Sequence, residues 1–170
     1  MGIGASFEEA FQKALRMLDQ DQEGFIPMQL VEIDDSDEAL KTPRPSRVQA
    51  LAKSLVRGKS VSSIQQLTGI DPWFLQKMQN ISKGYFALSL LNLSQQGLLN
   101  AKKLGFSDQQ IASIHYRGLS LKEGAKRLRQ LRKDWHIQPV IQQIDSLAGE
   151  FPPTSNYLYL TYHGQTNDIE

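Results

Sequence analysis

Apolar residues recur along this chain at helical spacing, and nearly every run is bounded by a capping or breaking residue. Phe7, Ala10, Phe11, Ala14, Leu15 and Leu18 share one face. With Ser6 and Glu9 as a capping box they predict a first helix over about residues 7–18. Val48, Leu51, Ala52, Leu55 and Val56 predict a second over about 46–57, ended by Gly58. Ser60 caps a short helix through Val61, Ile64 and Leu67, closed by Gly69, a residue free to take positive φ. Asp71 then N-caps the next helix and Pro72 takes its first position, so Trp73, Phe74 and Leu75 enter just after a rigid corner.

The helix after Pro72 keeps Phe74, Leu75, Met78, Ile81 and Tyr85 on one face, and Gly84 weakens it by about 1 kcal/mol relative to Ala. Residues 86–104 read as two short helical pieces. Ser107 with Gln110, ahead of Ile111, Ala112 and Ile114, is a further capping box. So is Ser120 with Glu123, ahead of a face formed by Leu121, Ala125, Leu128, Leu131 and Trp135.

Between the first two helices, residues 19–45 hold three prolines. They read as a long surface connection pinned by Phe25/Ile26 and Leu30/Val31. After Trp135, Pro139, Pro152 and Pro153 interrupt helical continuation, and Tyr157 to Tyr162 reads as a strand. The predicted fold is mainly α, an irregular helical domain of about six to seven helices with minor β-structure near the C-terminus. Its core is expected to contain Phe11, Leu15, Leu51, Leu55, Phe74, Met78, Ile111 and Leu128. Trp73 has two readings: an anchor of the corner if buried, a contact for a partner if exposed.

Composition narrows the class. A chain of 170 residues buries roughly 70% of its unfolded surface, enough for one sizeable core. Net charge is +1 and there is no cysteine, which excludes disulfides and thiolate chemistry. No apolar run approaches the roughly 18 residues of a membrane span, and no secretory signal pattern opens the chain. The expectation is an intracellular, cytoplasmic domain without a membrane partner, a mitochondrial parent being left open.

Charge is uneven along the chain. Asp19 to Glu38 carries eight acids and no Lys or Arg, while Arg117 to Lys133 carries seven bases against Glu123 alone. Both runs read either as solvated faces or as surfaces that meet charged partners, including each other across a subunit contact. On a helical wheel Lys122, Lys126, Arg129 and Lys133 form one row. Following Ser107 to Ala112 and a turn, that basic helix has the texture of a helix-turn-helix, so a nucleic-acid-binding domain is the alternative function.

Candidate chemistry is sparse. His115, His136 and His163 are too far apart for helical metal-ligand spacing. No glycine-rich loop followed by Lys-Ser or Lys-Thr cradles a phosphate. Glu8 and Glu9 sit where they complement a helix dipole, and Asp34 and Asp35 lie in an exposed acidic loop. No nucleophile has a base beside it. No catalytic, cofactor-binding or metal residue is therefore assigned. The candidate partner-contact residues are Trp73, Lys122, Lys126, Arg129 and Lys133.

The string Thr68-Gly-Ile-Asp-Pro-Trp-Phe-Leu75 resembles a characteristic run of the oligomerisation domain of the carbamoyl-phosphate synthetase large chain. Three further blocks resemble that family in order: residues 2–16, residues 104–112, and residues 139–162. The resemblance implies a non-catalytic scaffold module of an ATP-dependent ligase that makes carbamoyl phosphate from bicarbonate, ammonia or glutamine nitrogen, and ATP, for arginine, urea or pyrimidine synthesis. It places nucleotide and metal ligands (ATP and Mg) in two ATP-grasp halves outside this chain, so no activity is expected of the chain alone. The implied partners are a second copy or those halves. By the same resemblance, residues 1–18 are the tail of the first half and 19–45 a connection. Residues 46–138 are then the oligomerisation domain and 139–170 a linker towards the second half. Two departures stand out: Ala5 occupies a place where the family usually has Arg, and Tyr116-Arg-Gly118 lengthens the segment before the basic helix.

Overall fold

A computed structural model describes residues 1–18, 23–27, 30–145, 149–151 and 157–169 of the chain. Pro152 and Pro153, with residues 146–148 and 154–156 of the block 139–162, lie outside the described residues, as do Asp19 and Asp21 of the acidic run.

The architecture is mainly helical. In chain order the elements are α1 (Phe7–Arg16), a 3₁₀ turn (Leu30–Glu32), α2 (Asp37–Lys41), α3 (Arg47–Val56), α4 (Val61–Thr68) and α5 (Pro72–Leu90). They continue as α6 (Gln95–Lys103), α7 (Asp108–His115), α8 (Leu121–Asp134), β1 (Val140–Gln143) and β2 (Leu158–Thr161). The long α5 is central, and α1, α3, α4, α6 and α7 all pack on it. The two strands pair antiparallel, Val140 opposite Thr161 and Gln143 opposite Leu158.

Side-chain caps set most helix starts. Ser60, Ser107 and Ser120 each accept a hydrogen bond from the backbone N–H three residues on, and Gln110 and Glu123 return it as full capping boxes. Gly69 has φ 69° at the C-cap of α4, and the Asp71 carboxylate accepts from Trp73 N–H at 2.8 Å. The rigid corner is as the residues predict.

Four expectations are corrected. The helices number eight among the described residues, because Ser36 caps a five-residue helix, α2, inside the presumed connection. That helix inserts Leu40 into the core but is too short to show a period. Next, α5 runs through Gly84 to Leu90 before Ser94 starts α6. A Cβ at Gly84 would lie 2.5 Å from Leu104 Cδ1, so the glycine serves helix packing and does not break the helix. In the connection, Phe25 and Ile26 are buried as expected, whereas Val31 is exposed. Finally, Phe74 is 43% exposed. The buried stripe of α5 passes through Leu75, Met78, Ile81, Ser82 and Leu88, and Phe74 falls at its rim.

The other expected core residues Leu15, Leu51, Leu55, Met78, Ile111 and Leu128 are buried, and Phe11 packs against them half-buried. Close crossings depend on small residues. A Cβ on buried Gly124 would stand 3.0 Å from Ala112 Cβ, where α7 and α8 meet. No helix among the described residues is long and apolar enough to cross a membrane.

Candidate functional site

Trp73 follows Asp71 and Pro72 on the first turn of α5 and is 50% exposed. That overturns the fully buried reading. One edge of the indole rests on Phe7 of α1, with ring centroids 5.5 Å apart at 72°, and another on Phe74 at 5.0 Å and 89°. Lys77 Nζ sits 5.3 Å over the indole ring. Phe7 stacks on Phe11, and Phe11 meets fully buried Phe25. A row of aromatic rings thus leads from the core to a half-open surface corner.

Lys122, Lys126, Arg129 and Lys133 are all exposed on α8. Among the described residues none of the four lies within ion-pair distance of an acid, since the ion pairs fall elsewhere. Other bases of the same run engage neighbours within the chain. The Arg127 guanidinium lies 4.9 Å over the Tyr116 ring, and Arg132 is bidentate to Asp108 at 2.7 and 3.0 Å. The helix therefore carries one free basic face and one structural one. Trp73 on α5 and the basic row on α8 lie on separate helices.

The acidic run is largely held within the chain. Asp35 pairs with Lys53 at 3.4 Å and Arg57 at 3.1 Å, and Asp37 with Lys59 at 2.6 Å. Lys59 holds the Asp37 carboxyl below its usual range, and the Ser36 hydrogen bonds do the same for Asp34. The loop is therefore pinned to α3 and its flank, a departure from the freely solvated picture.

Sequence reasoning missed the buried polar centre. Glu8 and Glu9, read as dipole partners at a helix N-terminus, are both buried. Glu8 accepts from Asn80 at 2.8 Å; Glu9 accepts from Ala5 N–H and the Thr161 hydroxyl and pairs with Lys13. Gln12 donates to Leu104 O at 2.8 Å and accepts from Phe25 N–H and Gln110. Lys102 and Arg132 share Asp108 above the Tyr162 ring. A polar residue spaced into an apolar stripe, as Glu8, Glu9 and Gln12 are beside Phe11 and Leu15, is the one signal that marks such sites.

Among the described residues no group of three or more His, Asp or Glu is arranged to hold a metal ion. His163 Nε2 lies 2.9 Å from Lys103 O, and His136 is exposed. The open groups at the surface, an aromatic corner and a cationic face, suit protein contact.

Comparison with known proteins agrees with that chemistry. Residues 1–136 match the family described as the carbamoyl-phosphate synthetase large chain, oligomerisation domain. The chain is 43% identical to the multifunctional protein CAD of Squalus acanthias over 174 aligned residues, covering 100% of the chain and 7% of that protein. It is 41% identical to the carbamoyl phosphate synthase large chain of Sulfurisphaera tokodaii, covering 100% of the chain and 16% of that protein. It is 40% identical to the mitochondrial carbamoyl-phosphate synthase [ammonia] of Homo sapiens, covering 99% of the chain and 11% of that protein. The chain thus spans a small part of the relatives it matches. With the capped corner at Gly69–Leu75 inside the matched residues 1–136, the chain belongs to the oligomerisation-domain family of the carbamoyl-phosphate synthetase large chain.

Proposed function

We propose that this chain is the association module of a carbamoyl-phosphate synthase, joining copies or synthetase halves without performing chemistry itself. Residues 46–138 form its associating unit, 1–18 and 139–170 its connections to ATP-grasp halves, and those halves hold ATP and Mg. The parent reaction is formation of carbamoyl phosphate from bicarbonate, ammonia or glutamine nitrogen, and ATP.

The observation that carries this reading is the half-exposed Trp73, braced by Phe7 and Phe74 and bridged by Lys77. A large ring held rigid at the surface loses little freedom on binding and has unspent apolar area. The exposed row Lys122, Lys126, Arg129 and Lys133 supplies a second surface, complementary to an acidic partner and salt-sensitive.

Sedimentation velocity on the whole chain tests it. Self-association is expected, weakened at least tenfold by Trp73→Ala, and weakened by salt and by Lys126→Glu with Arg129→Glu. A monomer at all accessible concentrations that also fails to co-sediment with separately expressed synthetase halves rejects the reading. Binding of duplex DNA with a steep salt dependence, abolished by the double charge reversal, would favour the nucleic-acid alternative.

A further inference from the structure

A cavity of about 230 Å³ opens where the segment through Ile26 and Pro27 meets the later turns of α5 and the end of α7. None of its lining residues belongs to the Trp73 corner or to the basic row of α8. Its apolar lining is Ile26, Pro27, Phe106 and Ile114, of which Ile26 and Phe106 are buried. An apolar cavity of about 150 Å³ holds benzene, so this volume accommodates one ring with a substituent.

The polar lining divides into groups that serve the fold and groups that do not. The Gln110 amide accepts from Ser107 N–H and donates to Gln12. Ser89 donates its hydroxyl proton to Tyr85 O at 2.9 Å, and Ser113 donates to Gln110 O at 2.8 Å. The Tyr85 hydroxyl and the Arg117 guanidinium complete the lining, and neither makes a hydrogen bond or ion pair among the described residues. No acid lines the cavity among the described residues. An O–H donor and a guanidinium fork over one apolar hollow match a carboxylate, whose two oxygens accept from both.

Arg117 comes from Tyr116-Arg-Gly118, the segment that lengthens this chain relative to its family. Its backbone is held on both sides. Tyr116 N–H donates to Ala112 O at 2.8 Å, and Gly118 and Leu119 N–H donate to Tyr116 O at 2.8 and 3.1 Å. The Arg127 guanidinium covers the Tyr116 ring. The turn therefore presents exposed Arg117 at the mouth of the cavity from a fixed base.

We propose that this cavity binds a small monocarboxylate with an apolar body, of benzoate size. Its ring lies against Ile26, Phe106 and Ile114, and its carboxylate accepts from Arg117 and the Tyr85 hydroxyl. Benzoate, benzamide and acetate are each titrated into the whole chain and followed by NMR of the Ile26 and Ile114 methyls. Benzoate should saturate as a single site and bind about tenfold more tightly than benzamide. That is the lower end of what a hydrogen bond to a charged group contributes, because the cation is exposed. Acetate, which lacks the ring, should bind about tenfold or more weakly than benzoate. Arg117→Gln should bring benzoate down to the benzamide affinity and leave benzamide unchanged, and Tyr85→Phe should weaken benzoate about two- to tenfold. Ser89→Trp, at an exposed rim position, should block the mouth and abolish binding of both ring compounds.

The proposal is overturned by the absence of a saturable shift in the wild type, or by equal affinity for benzoate and either benzamide or acetate. Benzoate binding unchanged in Arg117→Gln, Tyr85→Phe or Ser89→Trp overturns it as well. Should Ser89→Trp fail to fold by circular dichroism, the three wild-type affinities and Arg117→Gln decide.

Discussion

The Glu9 carboxylate accepts a 2.8 Å hydrogen bond from the Thr161 hydroxyl, joining the first helix to the last strand across 152 residues of chain. Lys13 completes the latch: its ammonium pairs with Glu9 and donates to Ile3 O and Leu160 O. With Glu9 1% exposed, each bond lost there leaves a desolvated group. Glu9→Gln should cost about 1–3 kcal/mol and Thr161→Val about 1 kcal/mol by urea denaturation. Because the two groups touch, the double variant should lose about 1 kcal/mol less than the sum. Simple additivity would mean that the bond does not hold the strand to the helix.

Asp108 joins α6, α7 and α8 by pairing with Lys102 at 2.8 Å and with Arg132 at 2.7 Å. Burial pushes its carboxyl upward, but Lys102 and Arg132 together hold it below the ordinary 3.8. A carboxyl depressed in the folded state stabilises in full above its unfolded value, and the contribution is lost as pH falls through the folded value. Asp108→Ala strands the buried Lys102 ammonium and should cost about 3–5 kcal/mol at pH 7. A melting series from pH 7 to pH 3 should show the wild type losing this advantage only at the acid end. A variant as stable as the wild type at pH 7 would show the cluster to be energetically idle.

The turn at residues 104–106 marks where sequence reasoning stops. Caps are local, a serine and the residue three positions on, so Ser60, Ser107, Ser120 and the Asp71–Pro72 corner were readable from short windows. Leu51, Leu55, Ile111 and Leu128 were readable from periodicity. The carbonyls of Leu104, Gly105 and Phe106 are instead held by Gln12, Arg16 and Lys102, and the first two partners lie about ninety residues away, at separations of 92 and 89. No window contains such a pair. The same holds for β1, whose identity depends on β2, and for Glu8, whose partner Asn80 is on another helix. Of the candidate contact residues, Trp73 and the basic row were visible by residue type, whereas their exposure was a tertiary fact.

Gly105 sits in that turn with φ 88°, and a Cβ there would lie 2.8 Å from Glu9 Cα. Both facts oppose any side chain: the left-handed backbone costs a residue with Cβ about 1–2 kcal/mol, and the clash is with helix backbone, which cannot swing aside. Gly105→Ala should therefore destabilise by about 2 kcal/mol or more, with the loss concentrated where α1 meets the α6–α7 turn. Faster amide exchange at Phe25 and Phe106, ahead of the rest of the core, is the expected sign. A cost near zero would mean that the turn shifts freely away from α1.

His115 should give the chain an acid-side slope distinct from that of Asp108. Burial alone lowers its pKa from 6.5, with no charged neighbour contributing. In the window below 6.5 and above the folded value, the unfolded chain binds a proton that the folded chain does not. Stability must then rise with pH across that window and level off above 6.5. As pH falls through 6.5 towards the folded value, the wild type should lose melting temperature progressively. His115→Phe, which cannot take up the proton, should lack this component, so the difference between the two melting curves isolates it. Parallel curves between pH 5 and pH 7 would mean that the His115 imidazole reaches water or a donor in solution and is not buried without a partner.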